Sequence, residues 1–341
     1  MSSPKVTIVE VAKKAGVSLG TVSRVLNNDI HVAPETRERV SAVIQDMGYV
    51  ANRQARGLKA MKTNVIGVLV PDLATGYIGE ILHGIDVELA LHQLELMLFT
   101  THRTAAKEAG YVANMVQGMV DGLLIVLPRS FDAYTDTLAR HHFPFVLIDH
   151  QGSSVSHPTV GATNWQGGYS ATEYLIKLGH KRIGCITGSM DLGCSQERLN
   201  GYRSALRTHH LNEEAGLVYE GDFLQSDGYA GASTLLDLPD APTAIFASND
   251  LMAMGAMDAI RSRGLRIPND VSVIGFDNIQ QSAMVYPPLT TIQQPLEQMG
   301  RVATQILLGI LKNPDKDAGR IELPTELIIR SSTSVPREKA G

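Results

Sequence analysis

Residues 11–27 read VAKKAGVSLGTVSRVLN, and the reading of this stretch decides the fold of everything before residue 64. A glycine at 16 and a serine at 18 interrupt two short helical patterns. Upstream, Thr7 is placed to cap a helix while Glu10, three residues on, reaches back to it. Ile8, Val11, Ala12 and Ala15 then share one face, and Gly16 ends the helix. Ser18 caps a second helix whose apolar stripe is Val22, Val25 and Leu26. A third helix is predicted from Pro34 through Val40, Val43, Ile44 and Met47 to a stop at Gly48, closing a three-helix core.

The spacing around Gly16 is that of a helix-turn-helix, in which the second helix enters the major groove of DNA and the first crosses the phosphates. Its early exposed positions are Leu19, Gly20, Ser23 and Arg24, with Thr21 placed for a phosphate. Arg24 is the side chain suited to a bidentate contact with guanine, and Leu19 to a thymine methyl; Gly20 offers only backbone. The alternative is a three-helix module that merely packs or dimerises. Charge argues against it. Residues 1–62 carry ten basic and five acidic side chains, a net of +5, within a chain of net charge -5, so the remainder carries -10. A basic head on an acidic body fits a polyanion bound by the head alone.

With 341 residues, 44% hydrophobic and 19% charged, the chain has a globular composition and length for two or three domains. No apolar run suggests a membrane span or a secretion signal, so the expected compartment is the cytoplasm. Cys185 and Cys194 have no partners at metal-finger spacing and are expected to be reduced and structural. No metal or cofactor is expected.

Residues 49–62, YVANRQARGLKAMK, have helix formers but a thin apolar face, and Gly57 weakens a helix by ~1 kcal/mol relative to alanine. They read as a linker that becomes helical only with outside help. Beyond them, apolar runs of strand length at 65–70, 94–100, 123–127, 145–148, 183–187, 244–247 and 271–275 alternate with helical segments. That alternation predicts an α/β body of two doubly wound parallel-sheet subdomains, with ligands held beyond the carboxyl ends of the strands.

At this point the sequence resembles the LacI family of bacterial transcription regulators. TIVEVAKKAGVSLGTVSRVLN, APETRERV, GYVANRQARGLK and IGVLVPD match the family's helix-turn-helix, third helix, hinge helix and first body strand in order. LIKLGHKRIGCITG, RLNGYRSAL, PTAIFASNDLMAMGAMDAI, VSVIGFDN and PPLTTIQQP match its body, which is like a type I periplasmic sugar-binding protein. The resemblance implies a helix-turn-helix domain at 1–48, a hinge at 49–63 and an effector and dimerisation domain at 64–341. Within the last, subdomain 1 is expected at about 64–162 and 292–325, and subdomain 2 at about 163–291 and 326–341. It implies base readout by Leu19, Gly20 and Arg24, phosphate contacts from Thr7, Ser18, Thr21 and Ser23, and hinge contacts from Asn52, Ala55, Leu58 and Lys59. The hinge leucine, Leu58, would wedge into the minor groove and kink the operator. Ala51 stands where the family usually has proline, which implies a looser hinge.

Polar residues near predicted strand ends are Asp72, Asp149, Asn249, Asp250 and Asp277, and Arg198 is read as opening the helix RLNGYRSAL. Ionised carboxylates and a guanidinium fork together grip several hydroxyls, and Tyr77 and Phe223 add aromatic surface. The resemblance places Asp149, Arg198, Asn249, Asp277 and Phe223 at effector positions, with Thr75 and Tyr77 on the first βα loop. Asp250 is read as a helix cap and His150 as structural. No phosphate loop, HExxH or GxGxxG is present, and GGYSAT lacks the second glycine of a nucleophile elbow, so an enzyme is not expected.

The chain is therefore read as a homodimeric, ligand-responsive repressor of carbohydrate genes, on a near-palindromic operator, with a sugar effector. The absence of apolar heptads near SSTSVPREKAG argues against a coiled-coil tetramer tail. The alternatives are a purine-type, co-repressor-dependent regulator of the same family, and a sugar-binding receptor with no DNA role.

Overall fold

The computed structural model describes residues 6–26, 29–49, 63–151, 157–314 and 319–337. The chain forms two compact units, Met1–Thr63 and Asn64–Gly341. Among the described residues no helix is long and apolar enough to cross a membrane.

The first unit holds α1 (Ile8–Ala15), α2 (Leu19–Leu26) and α3 (Pro34–Asp46). Thr7 and Glu10 form the expected capping box, Glu10 Oε2 accepting from the Thr7 amide at 2.7 Å. Gly16 takes φ +64, and the next amide, Val17, closes onto the Ala12 carbonyl at 3.1 Å. An L side chain rarely adopts that left-handed conformation, so the sharp turn between α1 and α2 falls at this glycine. Ser18 Oγ accepts from the Thr21 amide at 3.1 Å, capping α2. Val11, Ala12, Ala15, Val22, Val25 and Val40 are buried together as the core.

The body has two six-stranded sheets. The first runs in the order β11 (Arg320–Leu323), β5 (Thr159–Ala162), β4 (Phe145–Ile148), β3 (Gly122–Val126), β1 (Val65–Val70), β2 (Glu95–Thr100), all parallel. The second runs β12 (Glu326–Ile328), β10 (Thr290–Gln293), β9 (Ser272–Asp277), β8 (Ala244–Ala247), β6 (Ile183–Thr187), β7 (Val218–Glu220), parallel except where β12 pairs with β10. Each of the seven expected runs coincides with a strand, with Leu94, Leu127 and Val271 falling just outside. Strands β5, β7, β10, β11 and β12 are additional, each of four residues or fewer.

The strand order reverses beside β1 in one sheet and beside β6 in the other, and a crevice opens at such a point. The chain crosses between the two subdomains three times: after Ala162, after Gln293 and after Leu323. The second crossing corrects the boundary expected at 292. Ile292 and Gln293 pair with Phe276 and Asp277 in β9, so they belong to the second sheet.

Three helix pairs cover the sheets: α4 (Gly76–Leu91) with α12 (Leu296–Lys312), α7 (Asn164–Lys177) with α8 (Gly193–Thr208), and α9 (Gln225–Leu236) with α10 (Asp250–Ser262). Each pair meets through glycine on both sides. A Cβ at Gly84 would lie 2.0 Å from the Glu297 carbonyl oxygen, and one at Gly300 2.2 Å from that of Ile81. Gly168 and Gly201 do the same for α7 and α8, and Gly228 and Gly255 for α9 and α10. Backbone touches backbone at these points. The remaining helices are α5 (Ala105–Met115), α6 (Asp132–Arg140) and the short α11 (Gln280–Met284).

Candidate functional site

On the head, Leu19, Gly20 and Arg24, the residues expected to read bases, are all exposed on α2. Leu19 is 48% exposed although Val22 and Val25 of the same helix are buried, and Gly20 beside it is exposed too. A Cβ at Gly20 would meet nothing closer than Ser18 Oγ at 3.7 Å, so the fold itself does not demand glycine there. Arg24 projects with 68% of its side chain exposed, its nearest acid being Asp29 at 3.9 Å. Thr21 and Ser23 are partly covered, and Thr21 Oγ1 lies 2.9 Å from Ser18 Oγ. Thr7 is exposed and its hydroxyl donates to Glu10 Oε2 at 3.0 Å. Asn52, Ala55, Leu58 and Lys59 lie outside the described residues.

In the body, Thr75, Tyr77, Asp149, Arg198, Phe223, Asn249 and Asp277 all line one cavity at the carboxyl ends of both sheets. At its centre Arg198 is 2% exposed. Its Nε donates to Asn164 Oδ1 at 2.8 Å and its Nη1 to the Ser248 carbonyl at 2.6 Å. Asp149 and Asp277 stand at 3.8 and 3.9 Å, and the guanidinium lies 3.9 Å from the centroid of the Phe276 ring. The flat cation is thus fixed by stacking and by two hydrogen bonds, which leaves Nη2, on the Asp149 side, as a donor for a ligand. Tyr77 donates its hydroxyl to Asp149 Oδ2 at 2.9 Å, and Asn164 Nδ2 donates to Asp149 Oδ1 at 3.0 Å. Burial, reinforced by Asp149, holds the Tyr77 phenol well above its ordinary range, so it remains a donor.

Two sequence expectations are corrected here. Arg198 does not open its helix: α8 starts at Gly193, and Arg198 occupies its second turn on the buried face. Asp250 is not the cap of α10. Asn249 is, its Oδ1 accepting from the Met252 amide at 2.9 Å while its Nδ2 donates to the Phe223 carbonyl at 3.1 Å. Asp250 is fully buried and accepts from Thr291 Oγ1 at 2.5 Å and the Ile279 amide at 2.9 Å. His150 packs against the Phe131 ring, with centroids 5.4 Å apart, and does not line the cavity. Thr75 caps α4 through the Ile78 amide. Asp72 accepts from Arg103 at 2.9 Å.

Sequence reasoning missed Asn164, which ties Asp149 to Arg198, and Phe276, the stacking partner. It also missed Arg103, Arg129, Leu192 and Cys194 in the cavity wall. Backbone strain marks the same place independently. Arg103, Leu127, Asp149, Phe223 and Asp277 all have positive φ, from +48 to +115, and all line the cavity. Each such residue costs on the order of 1–3 kcal/mol, and such strain clusters where ligands are clamped.

Burial and repulsion raise both carboxyls of the Asp250–Asp277 pair, with Asp277 pushed up to about 7 mainly by desolvation. The native state therefore holds protons that the unfolded chain releases near pH 4. Stability due to this pair should fall as pH rises from about 4 through about 7. Urea unfolding at about pH 5 and about pH 7.5 checks this, the wild type losing ground to Asp250→Asn at the higher pH. An unchanged difference between the two proteins would refute it.

Known proteins resemble this chain over nearly its whole length. Residues 7–52 match the description "Bacterial regulatory proteins, lacI family", and residues 172–333 match "Periplasmic binding protein-like domain". The transcriptional repressor PurR of Vibrio atlanticus is 34% identical over 327 residues, covering 96% of this chain and 98% of that protein. The transcriptional repressor CytR of Escherichia coli K12 is 36% identical over 328 residues, covering 96% of each chain. Among solved structures, the lac repressor dimer bound to operator is 29% identical with a TM-score of 0.84, covering 97% of this chain and all of that one. The regulator CelR in complex with cellobiose is 33% identical with a TM-score of 0.73, covering 96% and 99%. This chain therefore belongs to the lacI family of bacterial regulatory proteins, as a ligand-responsive DNA-binding repressor and not an enzyme.

Proposed function

We propose that the effector is a carbohydrate, gripped by Arg198, Asp149, Asp277 and Asn249 with Tyr77, Thr75 and Phe223 around it, and that it releases a homodimer from a near-palindromic operator. The observation that carries this reading is the Arg198 fork held between Asp149 and Asp277 beside aromatic rings. Alternating fixed donors and acceptors suit adjacent hydroxyls. The likeness to the cellobiose complex of CelR, and to a ribose-bound regulator at 30% identity, supports it. Ligand would act through its differential affinity for two arrangements of the subdomains.

The likeness to PurR and CytR over nearly the whole chain favours a second reading, in which a purine-type ligand acts as co-repressor. A thermal-shift screen of sugars, nucleobases and nucleosides separates the two, because a ligand at 100 times its Kd stabilises by ~2.7 kcal/mol. The hit is then added to an operator gel shift. Weakened binding by a sugar supports the first reading; strengthened binding by a nucleobase replaces it.

On the head we place base readout at Leu19, Gly20 and Arg24 and phosphate contacts at Thr7, Ser18, Thr21 and Ser23, with Asn52, Ala55, Leu58 and Lys59 in the hinge. Arg24→Ala should weaken specific operator binding by about 1–3 kcal/mol and leave the ligand shift intact. Loss of the ligand shift with operator affinity unchanged would assign the two sites wrongly.

A further inference from the structure

Four charged residues at the rim of the cavity join one subdomain to the other. Arg103, on the loop after β2, donates through Nε and Nη2 to Asp72 Oδ2 in its own subdomain, both at 2.9 Å. Its Nη1 reaches across to Asp222, bonding the backbone carbonyl and standing 3.2 Å from Oδ2. Arg129, on the loop after β3, pairs through Nη2 with Asp222 Oδ1 and through Nη1 with Asp191 Oδ2 at 3.3 Å. Asp191 and Asp222 precede α8 and α9 of the second subdomain. Two arginines from one side therefore occupy two aspartates from the other.

Each arm is held rigid from behind. Glu108, a buried residue of α5, accepts from the amides of Arg129 and Ser130 at 3.1 and 2.9 Å. Asp227 accepts from the amides of Asp222 and Leu224 at 2.8 and 3.2 Å. Glu220 accepts from the Met190 amide at 2.9 Å, beside Asp191. His102 and Arg103 both take left-handed backbone, φ +51 and +58, which points the second arm along one course. Isolated surface ion pairs contribute little because ordering long side chains offsets the attraction, but here much of that ordering is already met by the loops. The arginines are 19% and 17% exposed, so water screens them only partly.

We propose that Arg103 and Arg129 with Asp222 and Asp191 form an electrostatic latch across the mouth of the cavity, which sets how often the two subdomains part. Its meaning for effector entry and retention rests on the cavity being the effector site; its existence does not. Charges at a rim respond to ionic strength, since the screening length falls from ~10 Å at 0.1 M to ~3 Å at 1 M salt.

Hydrogen exchange on the full chain with no added ligand tests it, so a failed effector assignment would leave the result standing. The amides to follow are those of Ile78 and Ile279, two residues of the cavity lining that bond Thr75 Oγ1 and Asp250 Oδ2, away from the latch loops. Arg129→Gln and Asp222→Asn should each speed their exchange, on the order of fivefold per pair removed. Raising salt from about 50 to about 500 mM should do the same to the wild type and little to the double variant. Arg129→Lys should keep most of the protection at low salt. Should Arg129→Gln misfold, the salt response of the wild type carries the test. Equal exchange at these amides in every protein and at both salts overturns the proposal. Faster exchange confined to residues 127–131 and 222–224 also overturns it, since the charges would then brace only their own loops.

Discussion

Arg198→Ala should lose every ligand-induced rise in melting temperature and should itself be destabilised by about 3–5 kcal/mol. The first effect follows from the guanidinium being the fixed donor in the middle of the cavity. The second follows from what it leaves behind. Asp149 and Asp277 are 3% and 4% exposed, and the substitution removes the cation that stands 3.8 and 3.9 Å from them. Asn164 Oδ1 and the Ser248 carbonyl lose their donor as well. Leaving a buried polar group unsatisfied costs more than the bond was worth, which is why truncation here exceeds a cavity penalty. Urea unfolding of the variant, followed by the same ligand screen as for the wild type, measures both. A variant of wild-type stability that still responds to ligand would place recognition elsewhere in the cavity.

Gly255→Ala should prevent the body from folding or weaken it by more than ~3 kcal/mol, beyond what overpacking by one methyl usually costs. A Cβ there would lie 1.9 Å from the Gln225 carbonyl oxygen and 2.8 Å from the Tyr229 amide nitrogen. Both are backbone atoms of α9, so neither can rotate aside. The two helices would have to separate, and with them the apolar cluster of Met252, Ala256, Ala232 and Leu235 that they cover. Gly110→Ala is the contrast: nothing lies within 4 Å of its Cβ position in α5, and the change should stabilise by up to ~1 kcal/mol. Denaturant midpoints of the two variants against wild type decide it. A mild effect at Gly255 would show that the α9–α10 contact is looser than its geometry implies.

How much of this was legible in the sequence depended on length and locality. The head was readable almost to the residue, because a capping box, a left-handed glycine and three apolar stripes are signals within a few positions of one another. The seven expected strands were readable as apolar runs, although edge strand β2 is only half-buried. Strand β5 was not: Thr159–Ala162 reads TVGA, its side chains too small to stand out as an apolar run, and with it went Asn164, whose place beyond a strand end was then invisible. Asn249 and Asp250 are both cap formers, and their order could not separate them. What separates them is distant: Asp250 is buried where Gly275 in β9 comes so near that a Cβ would lie 2.4 Å from Oδ1. The rim charges were hidden for the same reason, since Arg129 and Asp222 are 93 positions apart and meet only once both sheets exist.

The three crossings between the subdomains bear on how such a chain can be cut and recombined. Each subdomain is assembled from separated lengths of chain, so no single break frees either one. A protease that nicks one crossing leaves two covalent tethers, and a genetic exchange that transplants one subdomain must splice at three places at once. The head differs: it is one uninterrupted segment joined to the body at Thr63 and Asn64, where the compact units divide. A single splice there exchanges the DNA-reading part whole, so new pairings of operator and effector are reached far more simply by swapping heads than by swapping halves of the body.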